Sequence, residues 1–329
     1  MKIAPVFWII LGSFLCSTSW GAEAFKTFEV TTAYTFPTRM IIDKADTVWF
    51  IESNLNKIGR YQPAKAAFSE HGIPTTSSMP SDITISNTGR IWITESNANQ
   101  LGVFDPVSLK FKEYDIPTIG SMPSRVAADH RGNIWFTEFY GNKVGMFDPL
   151  KEVFREYPVP TSDSRPAGII ADKKGIVWFL ETQGNKLGRL NPQDGKIQEF
   201  ELPKAFQSPR EIAMDKSGAL WFGGHIGRDL MVFNPAARKF KSFPMPGGSV
   251  AENMTMGIDG KIYCTLTTSS KIVVFNPVTS AFLEFDVGVG KSKPNGIDAD
   301  SRGNIWFADT EKNALIKLDK DMVEKLWVK

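Results

Sequence analysis

The chain has 329 residues, of which 42% are hydrophobic and 22% charged; this fits one large or two ordinary soluble domains and excludes wholesale disorder, a collagen-like fibre and a multi-span membrane protein. Lys plus Arg total 38 against 36 Asp plus Glu, a net charge of +2, so the basic excess of a generic nucleic-acid binder is missing. Aromatics reach 12%, with nine Trp, and 27 Gly and 20 Pro punctuate the chain, a mixture suited to many short strands joined by turns.

Met1-Lys2 leads into an apolar run from Ile3 to Cys16, followed by small residues in Ser17-Thr18-Ser19 and Gly21-Ala22-Glu23-Ala24. A basic start, a short apolar stretch and a small-residue exit read as a signal peptide over residues 1–24, cleaved after Gly21 or Ala24. The apolar run is shorter than the roughly 20 residues that span a bilayer, and no other segment is long and apolar enough. The expectation is an exported protein, periplasmic or secreted, with no membrane span in the mature chain. Cys16 leaves with the signal, so Cys264 stands alone and no internal disulfide is expected. Its apolar neighbours read it as a buried small hydrophobe.

From residue 25 to residue 329 one pattern repeats. An aromatic pair or its variant recurs as Trp49-Phe50, Trp92-Ile93, Trp135-Phe136, Trp178-Phe179, Trp221-Phe222, Tyr263-Cys264 and Trp306-Phe307, at steps of 43, 43, 43, 43, 42 and 43 residues. Each unit reads as four short strands. In the third, strand a is Arg125–Ala128, b is Ile134–Thr137, c is Val144–Phe147 and d is Phe154–Tyr157, the last alternating apolar and charged. Pairs such as Gly132-Asn133 and Gly303-Asn304 suit tight a–b turns, and Asp-Pro or Asn-Pro opens the c–d turn. No segment shows a helical period.

Four antiparallel strands repeated at this period predict an all-β, seven-bladed propeller in a single domain. Phe25–Val30 has the spacing of a spare strand d and is expected to close the ring from the N-terminus; the tail Val323–Trp327 is the competing candidate. The Trp column is expected to pack between blades, because repeat folds reuse such positions to join neighbours.

Strand direction alternates, so the start of a, the end of b, the start of c and the end of d share one face of the disc. Strand a lines the channel. Eleven residues before each aromatic stand Thr38, Ser81, Ser124, Ala167, Arg210, Glu252 and Asn295, followed by Arg39, Asp82, Arg125, Gly168, Glu211, Asn253 and Gly296. Three after each aromatic stand Glu52, Glu95, Glu138, Glu181, Gly224, Leu266 and Asp309. A partial carboxylate ring with several Arg beside it is expected at this channel mouth. Repetition reads the four Glu as structural, pairing with Arg or capping amides. Blades five to seven break the pattern, and such departures are where function is sought. The candidate ligand contacts are Arg125, Arg210, Glu211 and Asn295. His225 falls at the same mouth after two Gly and is the candidate base or metal ligand. His71 is expected to be solvated on an outer strand, and His130 lies on the opposite face. No zinc-type Cys/His spacing, phosphate loop or nucleophile elbow occurs.

The segments Gly132–Glu138, Gly141–Gly145 and Glu156–Pro160 resemble the repeats of the virginiamycin B (streptogramin B) lyase family, and the likeness runs through essentially the whole mature chain. The resemblance implies a seven-bladed propeller. It also implies opening of a cyclic depsipeptide antibiotic at its ester by elimination, with Mg²⁺ assistance. The family's catalytic groups are His residues just after the d–a Pro of the last two blades and a Glu just after the last Trp-Phe. This sequence holds Glu252, Asn295 and Asp309 there, with Thr310 alongside. Asn295 offers no basic group. The resemblance therefore leaves Glu252 as a second candidate base, and Glu252 with Asp309 as candidate metal ligands.

Three readings stand side by side. One is an exported binder of a small molecule or peptide at the blade five-to-seven mouth. Another is a Mg²⁺-assisted lyase or hydrolase on a cyclic peptide or ester. The third is a scaffold that docks a protein partner. Low net charge and closed blades favour a monomer.

Overall fold

The computed structural model describes residues 24–203, 208–224, 226, 228–288 and 292–327. The proposed signal segment, residues 1–23, lies outside them. Seven sheets of four antiparallel strands, each in the order a-b-c-d, radiate around one axis. The blades span Pro37–Gly72, Pro80–Asp115, Pro123–Pro158, Pro166–Glu201, Pro209–Pro244 and Asn253–Asp286, and the seventh starts at Pro294. Its fourth strand is β1 (Phe25–Glu29), paired antiparallel with Ala314–Leu318 in the register Phe25↔Leu318 to Glu29↔Ala314. The N-terminal strand thus closes the ring.

The tail does not compete, because it forms α1 (Lys320–Trp327), the one α-helix among the described residues. Its apolar residues Met322, Val323, Leu326 and Trp327 fall on one face and pack against the blade six-to-seven core. Eight residues are too few for a helical period to stand out beside seven repeats, which is why the segment reads as featureless in the sequence.

The Trp column joins blades, and the polar end of each ring explains why Trp is used. Trp49 packs with Ile83, Ile93 and Phe104 of blade two. Trp92 joins blade three, and Trp306 packs with Phe50 of blade one, completing the circle. Indole N–H groups must be satisfied when buried. Trp135 donates to Asp129 at 2.9 Å, and Trp306 to Asp300 at 3.0 Å. The same Asp129 accepts from Arg131 N and Asn133 N, shaping the a–b turn that carries Gly132 at φ 88°. One carboxylate therefore fixes a turn and orients the ring that locks the next blade. His71 lies on the outer strand of blade one as expected, but half-buried: its ring lies 4.5 Å from that of Phe104, and burial with Arg60 nearby lowers its pKa.

Strand a carries a β-bulge in six blades, between Pro37 and Met40 in the first and at the matching places in blades two, three, four, five and seven. Two residues oppose one on strand b, so the consecutive pair after the Pro, such as Thr38-Arg39, is delivered to the channel and its mouth.

Candidate functional site at the channel mouth

The floor of the mouth is ionic. Arg39 of blade one and Arg125 of blade three both reach Glu211 of blade five. Arg39 Nη1 donates to Glu211 Oε2 at 3.0 Å and Arg39 Nη2 to Oε1; Arg125 Nε and Nη2 donate to Oε1 at 3.1 and 2.6 Å. Asp82 of blade two lies 3.7 Å from Arg39 Nε and accepts from Val126 N at 2.9 Å. The side chains of Arg39, Arg125 and Glu211 are 11–15% exposed. Burial alone raises a carboxyl pKa, but the two guanidiniums outweigh it and hold Glu211 down at about 2. Two sequence-predicted contacts, Arg125 and Glu211, are thereby brought together as partners of each other. Arg39 and Asp82 complete the cluster, and their column had marked the place without marking the pairing.

Arg210 and Glu252 lie within electrostatic reach of this cluster, and Asn253 and Asn295 hold strand-a positions of blades six and seven. Asn253 is 5% exposed, and its Nδ2 donates to Asn295 Oδ1 at 3.0 Å. Asn253 Oδ1 and Arg210 Nε are buried atoms with no hydrogen-bond partner among the described residues. Burial, with Arg125 adding to it, lowers the Arg210 pKa. Glu252 lies close enough for its charge to act on Arg39 and Arg210. His225 lies outside the described residues. Asp298, eight residues before Trp306, was not anticipated. It accepts from Ile42 N and Ala299 N at 2.8 Å, and burial pushes its pKa up to about 6.

Asp309 does not line the mouth. It is 0% exposed, and its Oδ1 accepts from Lys293 N, Glu311 N and Lys312 N at 3.0–3.1 Å, while Ser292 Oγ donates to Oδ2 at 2.5 Å. It is a turn-capping carboxylate. No three His, Cys, Asp or Glu side chains among the described residues converge as a metal cradle. The Mg²⁺ that the resemblance implies finds no fit at Asp309, whose oxygens are enclosed and committed.

The expected carboxylate ring is also inside the blades and not at the mouth. Glu52, Glu95, Glu138 and Glu181 are all 0% exposed. Among the described residues no Arg and no backbone amide satisfies their oxygens; the hydroxyl of Ser78 lies beside Glu95, and those of Thr118 and Ser121 beside Glu138. Each Glu sits over a glycine: a Cβ on Gly59 or Gly102 would come within 2.7 and 2.4 Å of Glu52 and Glu95 Oε1. Each also faces a second carboxyl on strand d. Burial first, then Glu70, Glu113 and Glu156, push Glu52, Glu95 and Glu138 up to about 7, and burial with Glu199 pushes Glu181 up to about 8. Three of the strand-d partners, Glu70, Glu156 and Glu199, have lowered pKa values because Lys and Thr groups outweigh their burial: Glu156 accepts from Lys143 Nζ at 2.7 Å and from Thr118 N at 3.0 Å, fixing a mouth-face d–a loop.

The model of the virginiamycin B lyase family matches residues 17–234. The virginiamycin B lyase of Staphylococcus aureus is 27% identical over 89% of this chain and 98% of its own, with a TM-score of 0.83. A streptogramin B lyase is 26% identical over 90% and 97%, with a TM-score of 0.84. A catalytically inactive histidine-to-alanine variant of the S. aureus enzyme, solved with quinupristin, is 26% identical over 89% and 98%, at a TM-score of 0.83. The comparison with curated protein sequences gave no match.

Proposed function

The chain belongs to the virginiamycin B lyase family, and from that premise we propose that it is an exported propeller that binds a small molecule or peptide at the blade five-to-seven mouth. The observation that carries the reading is the pair of buried, unpartnered polar atoms there, Arg210 Nε and Asn253 Oδ1. A polar atom removed from water without a partner costs on the order of 1–3 kcal/mol, which a ligand offering both an acceptor and a donor recovers. An amide or ester backbone has an acceptor, and a peptide has both. Asn295 and Glu252 adjoin Asn253, by hydrogen bond and in sequence, and Glu211, the residue after Arg210, is fixed by Arg39 and Arg125. His225 and Arg125 are kept as proposed contacts on their place in the repeat. Export rests on the sequence of residues 1–24; no helix among the described residues is long and apolar enough to cross a membrane.

The family's elimination chemistry is not the reading favoured here. Where the family's pattern has His, this chain has Glu252 and Asn295, and Asp309 is sealed in a turn. Asn295 offers no basic group and the Asp309 oxygens are committed to their turn, so two of the positions where the resemblance places the bond-breaking groups are changed. Titration calorimetry with quinupristin tests the reading. Saturable binding is expected, with Arg210→Ala raising Kd about 10–100-fold, the size of a lost charged hydrogen bond. Binding unchanged in Arg210→Ala places the site elsewhere.

A further inference from the structure

In four blades the residue just after strand b carries a hydroxyl that ties it to the Pro opening the next blade. Ser96 donates to Pro123 O at 2.6 Å, Thr182 to Pro209 O at 2.9 Å, Thr267 to Pro294 O at 2.6 Å and Thr310 to Pro37 O at 2.9 Å. Blade three gives this link up. Phe139 stands there, and no hydroxyl is available for Pro166 O. The Phe139 ring lies 5.2 Å from that of Tyr140 at an interplanar angle of 67°. Tyr140 is 60% exposed. Arg165, the residue before Pro166, holds its guanidinium 5.7 and 5.6 Å from the two ring centroids. A repeat that forgoes an interblade hydrogen bond to present aromatic rings has departed from packing logic. The rings sit at the mouth-face end of strand b, across the disc from blades six and seven. Phe139 is half-buried next to the exposed Tyr140, and an exposed tyrosine ring beside a guanidinium favours another flat group.

We propose that Phe139, Tyr140 and Arg165 form a stacking platform for a planar aromatic group of the mouth's ligand, whose polar part is held by blades five to seven. The ligand class is an aromatic-bearing peptide. This deepens the mouth reading and rests on it. The platform is tested with two probes, N-acetyltryptophanamide and N-acetylalaninamide, by saturation-transfer NMR on the mature chain. Transfer to the indole protons is expected, with none to the alanine probe. Phe139→Ser should abolish it while leaving the melting temperature equal or higher, since the introduced hydroxyl can restore the repeat's bond to Pro166 O. Tyr140→Ala, at an exposed site, should weaken it at least threefold without affecting folding. Arg210→Ala should leave indole transfer intact, so a failed polar contact and a failed platform give different results. Absence of indole transfer in the unmodified chain, or transfer that survives both platform variants, overturns the proposal.

Discussion

Glu211 illustrates how one residue governs the centre of the disc. It accepts from Arg39 and Arg125 across the channel, so blades one, three and five meet on a single carboxylate. Removing one partner of a buried ion pair leaves the others charged and unsolvated, which costs about 3–5 kcal/mol. Glu211→Gln is therefore expected to lower the unfolding free energy by that amount in urea melts, and a loss under about 1 kcal/mol would mean the cluster is held open to water. The column that holds Arg39, Asp82, Arg125, Glu211 and Asn253 was readable from the repeat period alone. Their mutual pairing was not, because partners two and three blades apart are set by channel width, which no local pattern encodes. Asp309 shows the converse. Its place after the last Trp-Phe suggested a metal ligand, but a carboxylate beside an amide-rich turn is captured by that turn.

At the scale of the element, the buried Glu at the end of strand b gives blades one to four a proton-dependent interior. Glu138 keeps its proton in the folded state up to about 7, against an ordinary 4.5. Between those values the folded chain binds more protons than the unfolded one, so stability falls as pH rises through the window and levels off above it. Glu52 and Glu95 act alike, and Glu181 extends the fall to about 8. Glu70, Glu156 and Glu199 act oppositely. Burial opposes their ionisation, but Lys and Thr partners outweigh it, their pKa values are lowered, and their contribution is lost as pH falls below the ordinary 4.5. The melting temperature is thus expected to peak near pH 5, at about the ordinary carboxylate value, and to decline toward pH 8. Replacing all four buried Glu by Gln should flatten that decline; a wild-type profile that is flat or rising from pH 5 to pH 8 contradicts the assignment. The strands themselves were legible to within a residue or two, because Trp, Gly-Asn and Asp-Pro punctuate each one. The strand-a bulge and the helix α1 were not, since both depend on what the segment packs against.

Over the whole molecule, the period of 43 residues determines a closed seven-bladed ring, and β1 supplies its last strand. The extracellular domain of a one-component system of B. thetaiotaomicron shares this architecture at 13% identity over 90% of this chain and 40% of its own, with a TM-score of 0.73; that likeness speaks for the fold alone. The fold brings the strand-a residues of several blades together, and those residues, not the fold, decide the chemistry there. Here the repeat is most faithful in blades one to four and least in blades five to seven, where Gly224, Leu266 and Glu252 interrupt it. The central claim is recognition without bond breaking. The most direct test is to incubate the mature chain with quinupristin, with Mg²⁺ and with a chelator, and to follow the antibiotic by liquid chromatography and fragmentation mass spectrometry. An intact cyclic molecule is expected under both conditions, retained by the protein on a desalting column. A ring-opened isomer of unchanged mass that forms with Mg²⁺ and disappears with chelator would contradict it.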